Sequence, residues 1–214
     1  MKKRNLTWFL LIFILGCGPY IWFKVPQPEN AENLIKFPGF LCGSYTSVND
    51  SSIIKIDSFS VIREYHENLI LSKIEFRNEV GDTISEDTSF IFADNWKIII
   101  ESYNDSVKIY SSKDETVFHI SNDNLLRNYR NYYFLNFKDP GEFWRVKILK
   151  LEKDTLEFDN ILSEDDIKLI KNMKSVEIKK DSINEETQYY LKPSKRELKK
   201  ILKYRSSGEK FIKL

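Results

Sequence analysis

The stretch Trp144-Arg145-Val146-Lys147-Ile148-Leu149-Lys150-Leu151-Glu152-Lys153-Asp154-Thr155-Leu156-Glu157-Phe158 decides the fold. Trp144, Val146 and Ile148 fall on one side and Arg145 and Lys147 on the other, the two-residue period of a strand that buries one face. Lys153-Asp154 supplies a turn, and Thr155 to Phe158 begins the next strand.

The same grammar repeats outward. Ile53 to Ile56, Phe59 to Ile62, Leu69 to Phe76, Ser89 to Phe92, Trp96 to Tyr103, Ser106 to Tyr110, Glu115 to Ile120 and Tyr129 to Phe137 are apolar, β-branched or aromatic runs. Polar breaks separate them at Asn49-Asp50-Ser51, Gly81-Asp82, Asn104-Asp105, Lys113-Asp114 and Asp139-Pro140-Gly141. Strands at this spacing predict a mainly β chain, an antiparallel meander closing into a barrel or sandwich. Trp96 and Trp144 are expected on buried faces. Tyr132-Tyr133-Phe134-Leu135 is apolar on both faces, so it belongs centrally or against a helix.

Two short helices are expected in the C-terminal third. Ser163 with Asp166 approximates a capping box ahead of Ile167, Ile170 and Met173, and Val176 and Ile178 follow as a strand. Thr187 to Leu191 is a further strand. Ser194 with Glu197 caps a helix over Lys195–Arg205, whose apolar stripe is Leu198, Ile201 and Leu202, with Gly208 as its stop.

The N-terminus carries a different signal. Lys2, Lys3 and Arg4 precede an apolar run from Leu6 to Leu15, which Ile14-Leu15-Gly16-Cys17 closes. A basic head, an apolar middle and a small-residue cleavage site make an export signal. The segment Ile14 to Cys17 resembles the bacterial lipobox. That resemblance implies cleavage after residue 16 and a lipid on Cys17, and Gly18 points to the outer rather than the inner membrane. The alternative is an uncleaved membrane anchor over residues 6–23, about 27 Å long at 1.5 Å per residue and interrupted by Gly16, Gly18 and Pro19. Residues 17–38, with Pro26, Pro28 and Pro38, read as a tether. Residues 39–214 read as one β-rich extracytoplasmic domain. Gly43-Ser44-Tyr45 resembles the Gly-x-Trp that opens lipocalins, with Tyr in place of Trp, and so implies a lipocalin-like barrel. The opening as a whole resembles uncharacterised envelope lipoproteins, which carry no activity with them.

Charge is asymmetric. The chain is +1 overall; without Lys2, Lys3 and Arg4 it is −2, and residues 192–214 hold nine Lys/Arg against two Asp/Glu, so residues 17–191 carry −9. The basic helix residues Lys195, Arg196, Lys199, Lys200, Lys203 and Arg205 are the candidate interaction surface, suited to anionic headgroups. Nucleic acid does not fit an exported chain.

The chemistry-bearing residues are few. Cys42 is the one cysteine beside Cys17 and reads as a small buried hydrophobe. His66 is expected in a polar turn and His119 in a strand; no zinc spacing, nucleophile elbow or phosphate-cradling loop accompanies them. These absences predict a non-enzyme with no metal or cofactor, a membrane-anchored binding or interaction module with an envelope protein as a further possible partner. A carrier of a lipid or small molecule is the first alternative and an enzyme with an unrecognised site the second. Large Tyr and Phe side chains should fill the strand interior, leaving no ligand-sized apolar pocket lined by Tyr132, Phe134 or Trp144.

Overall fold

The computed structural model describes residues 20–81, 87–91, 93–180 and 187–214. The lipobox and Cys17 lie outside them. Among the described residues the chain runs β1 (Tyr20–Phe23), β2 (Asn33–Leu34), β3 (Gly43–Ser47), β4 (Ile53–Ile56), β5 (Ser60–Ser72), α1 (Lys73–Val80), β6 (Thr88–Ile91), β7 (Lys97–Tyr103) and β8 (Ser106–His119). It continues with β9 (Asn124–Tyr129), β10 (Tyr132–Lys138), β11 (Trp144–Glu152), β12 (Thr155–Asn160), α2 (Ile167–Lys171), β13 (Val176–Lys180), β14 (Thr187–Leu191), α3 (Lys195–Tyr204) and β15 (Glu209–Lys213). Every pairing is antiparallel except that of β1 with β14.

Among the described residues the sheet order β13-β14-β1-β11-β12-β15-β3-β4-β5-β8-β7-β6 ends at β13 and β6, each paired on one side only, and a branch of β10, β9 and β2 leaves β11 and ends at β2. The sheet curls but does not close into the expected barrel. Strand β11 is the branch point. Along Lys147 to Glu152 it pairs with β12, and at Trp144 the same sheet passes to Phe23 of β1.

Two cores lie on opposite faces of β10 and β11. Tyr133, Leu135 and Leu149 join Tyr45, Ile54, Val61, Phe118, Leu156, Phe158 and Phe211 inside the curl. Phe134, Val146 and Ile148 face Phe23, Ile170, Leu191, Leu198 and Ile201, so α2 and α3 cover the second face. The doubly apolar run at Tyr132–Leu135 therefore sits where its composition demands. Each such side chain contributes about 1.5–3 kcal/mol by leaving water. Trp144 and Trp96 are only half-buried, unlike the expectation; Val146, Ile148 and Ile100 hold the buried positions. Trp96 precedes β7 and meets Tyr65 with ring centroids 6.3 Å apart.

Several boundaries differ from expectation. Residues 20–38 are not a tether. Tyr20–Phe23 is a sheet strand, not the end of a membrane helix, and Phe23, Gln27 and Phe37 are buried. Tyr129 to Phe137 is two strands, because Arg130-Asn131 turns the chain with Arg130 at φ 59°. Lys73–Val80 is a helix, not the end of a strand: Ser72 accepts from the Glu75 amide and Glu75 accepts from the Ser72 amide, a capping box that starts it. The breaks expected around His66 and at Lys113-Asp114 are absent. His66 pairs Ser112 and Tyr65 pairs Lys113 within one long β5–β8 ribbon. A third, small core of Phe76, Ile100 and Val107 sits on the outer part of this ribbon.

Gly208 does not stop α3. The helix ends at Tyr204 and Arg205 is extended. Gly208 is needed for close approach, since a Cβ there would lie 2.5 Å from Asp159 Cβ.

Candidate functional site

Helix α3 is fixed at both ends and along one side. Ser194 Oγ accepts from the Glu197 amide at 3.3 Å and the Ser194 amide donates to Glu197 Oε2 at 2.9 Å. Leu198 and Ile201 are buried, and Tyr132 donates its hydroxyl to the Leu202 carbonyl. The opposite face carries Lys195, Arg196, Lys199, Lys200 and Lys203, all exposed. Among the described residues none of the five has a carboxylate within 4.0 Å. Lys195 Nζ lies 6.0 Å from the Tyr129 ring centroid and Lys203 Nζ 4.8 Å from that of Tyr204.

Arg205, expected in this surface, is turned inward. Its guanidinium pairs with Glu157 and donates to the Ile161 carbonyl, with only 5% of the side chain exposed. Burial pushes the Glu157 carboxyl up, but the Gly208 amide and Arg205 outweigh it and hold the group below the usual glutamate range. Arg205 therefore locks the end of α3 to β12, while the five cations above it stay available.

Beside the first turn of α3 lies a cavity of about 390 Å³, lined by Gln27, Pro28, Tyr129, Pro193, Lys195 and Leu198 among others. Its wall is built from the supposed tether. Asn136, buried in β10, accepts from the Gln27 amide at 2.5 Å and donates to the Gln27 carbonyl at 2.8 Å. Arg127 donates to the carbonyls of Pro26 and Pro28, 2.8 Å each. The Gln27 side chain donates to the Val25 carbonyl, which fixes its orientation, and leaves Oε1 buried with no partner among the described residues. An orphan acceptor of this kind costs about 1–3 kcal/mol. Sequence reading missed this site because three prolines suggested a spacer. The available signal was Asn136, a lone amide in an otherwise apolar strand, which had to find a partner.

A second groove of about 610 Å³ runs past Leu34, Ile35, Leu126 and Trp144. It reaches Trp144, contrary to expectation, but it lies against β2 and the β8–β9 turn. The strand interior itself is filled: Phe134 and Leu135 are wholly buried. Lys147 points into the curl, with Nζ 5.0 Å from the Phe158 ring centroid, and burial pushes its ammonium below the ordinary lysine value.

The remaining candidates are dispersed. His66 lies on exposed β5, 3.7 Å from Glu64. His119 Nδ1 is 2.8 Å from Ser60 Oγ, but the pair is exposed and no carboxylate completes it among the described residues. Cys42 is half-buried, its Sγ 3.6 Å from the Pro38 carbonyl. Among the described residues no cluster of His, Cys, Asp and Glu has the makings of a metal site, and no helix is long and apolar enough to cross a membrane. Comparison of the chain with protein families, curated proteins and solved structures returns no match, so the residues described above stand as the basis for its function.

Proposed function

We propose that this chain is an envelope lipoprotein, anchored through Cys17 and acting without catalysis as an interaction module whose exposed α3 face meets anionic headgroups. One observation carries the reading: five cations stand on one rigid helix face with no carboxylate partner among the described residues. Surface cations normally scatter among acids, and the rest of the exported chain is acidic enough to supply them. Keeping five unpaired on a pinned helix favours an external anion, each residue contributing about 1 kcal/mol near an anionic membrane surface.

The anchor supports the same reading. Strand β1 begins three residues after Cys17, so at most about 11 Å of extended chain separates the lipid from the sheet. A domain held that closely meets headgroups without a long spacer. Gly18 keeps the outer membrane as the expected destination, and an envelope protein is the competing partner. The reading includes no lipocalin-like barrel, because the sheet is open.

The test is equilibrium binding of residues 18–214 to vesicles with and without phosphatidylglycerol. Binding should require the anionic lipid and weaken steeply as salt rises. Equal binding to neutral vesicles would refute the headgroup reading. Intact mass tests the anchor separately: a diacylglyceryl adduct on a chain beginning at Cys17 is expected, and an unmodified chain beginning at Met1 would refute it.

A further inference from the structure

We propose that the cavity between residues 27–31 and the first turn of α3 binds an acidic saccharide, a hydroxylated ring bearing a carboxylate. The site shares only Lys195 with the helix face described above and does not depend on that face meeting a membrane.

Three features of the wall select this chemistry. The Tyr129 ring, the pyrrolidines of Pro28 and Pro193 and the Leu198 side chain give flat apolar patches around one cavity. The C–H face of a sugar ring suits such patches, because the face of an aromatic ring is electron-rich and attracts C–H edges. Acceptors come next. Gln27 Oε1 is buried in the wall with no partner among the described residues, and Glu29 lines the cavity with its carboxylate 3.1 Å from Lys192. A ring hydroxyl supplies the donor that Gln27 Oε1 lacks, and a purely apolar ligand does not. Lys195 then provides a cation at the rim that no carboxylate occupies among the described residues. The cavity volume, about 390 Å³, falls in the lower part of the range used by small ligands, which suits one or two sugar rings.

The wall is also pre-organised. Asn136 and Arg127 clamp the backbone at residues 26–28 with four hydrogen bonds of 2.5–2.8 Å, so Gln27 is held in place before a ligand arrives. A spacer with no binding role would not need its backbone pinned by two side chains from β9 and β10.

The experiment titrates the full chain, in neutral nanodiscs, with glucuronate, with glucose as the uncharged ring and with acetate as the ringless anion. Glucuronate should bind saturably at one per chain, at least tenfold tighter than either comparator. Lys195→Gln should weaken it about tenfold or more, and Tyr129→Ala should do the same. Lys199→Gln, on the same helix away from the cavity, should leave it unchanged. Lys195 is exposed, so its variant stays folded even if Tyr129→Ala does not. No saturable binding of glucuronate would overturn the proposal and leave a cavity occupied by water. Acetate binding as tightly as glucuronate, or equal loss in Lys199→Gln, would overturn it too, as diffuse attraction of anions to a basic helix.

Discussion

The β10–β11 pair and the β5–β8 ribbon are built from the same antiparallel ladder and differ in what surrounds them. β10 and β11 are covered on both faces, by the curl on one side and α2 and α3 on the other. Among the described residues the middle of the ribbon has no core on either face. Its partners there are His66 with Ser112 and Glu67 with Ser111, and its outer apolar residues Ile70 and Tyr110 remain exposed. Hydrogen bonding continues through both regions. Alternation in a sequence therefore reports burial, and it fades where a sheet leaves its core even though the strand does not end.

The comparison makes a first prediction. Phe134→Ala empties a fully buried site in the core beneath α2 and α3 and should cost about 3–5 kcal/mol, while Ile70→Ala on the ribbon should stay within about 0.5 kcal/mol. Denaturant unfolding of both variants checks this, and similar losses would mean the ribbon is covered by something in solution.

A more local effect is expected where the body holds residues 26–28. Asn136→Ala leaves the Gln27 amide and carbonyl unpaired, at about 1–3 kcal/mol for each buried group. Hydrogen exchange at Gln27 should accelerate while exchange in the ribbon stays unchanged. Unaltered protection at Gln27 would show that the segment is held by other contacts.

Gly208→Ala should cost about 1–3 kcal/mol by forcing β12 and the segment before β15 apart. Denaturant unfolding checks this, and unchanged stability would show that Asp159 gives way to the added methyl at no cost.

The smallest effect is in pH dependence. Glu157 has a folded pKa below its unfolded value, so its contribution is complete above about pH 4.5. That contribution is lost as pH falls through the depressed folded value. Glu157→Gln should flatten the acid limb of a stability–pH curve in that window and leave the neutral region parallel to wild type. An unchanged acid limb would show that the Arg205 pair is not what holds this carboxyl down.

The same contrast explains what was legible in the sequence. The turns at Lys153-Asp154, Asn104-Asp105 and Asp139-Pro140-Gly141 and the helix over Lys195–Tyr204 were readable, because turn chemistry and capping boxes are local. So was the central place of Tyr132–Leu135. The ribbon was not, because its polar centre reads as two turns. Helix α1 was hidden inside an apolar run, although Ser72-x-x-Glu75 carried the capping signal. The open sheet and the packing of residues 20–38 depend on pairings across more than a hundred residues, such as Tyr20 with Gln188 and Gln27 with Asn136. Of the candidate site, the five exposed cations of α3 were visible as a basic amphipathic pattern. The inward turn of Arg205 was not, because it depends on Glu157 of β12.

The most direct measurement sets equal charge changes in the two regions against each other. Lys199, Lys200 and Lys203 reversed to Glu on α3, and Lys108 and Lys113 of the ribbon with Lys97 of the neighbouring β7 reversed to Glu, change the net charge of residues 18–214 by the same amount. With phosphatidylglycerol vesicles, the α3 variant should lose affinity by about a hundredfold or more, at about 1 kcal/mol per residue. The ribbon variant should bind within about threefold of wild type. Equal losses in the two variants would contradict the claim that α3 is the interaction surface, and would leave only the overall charge as the cause of binding.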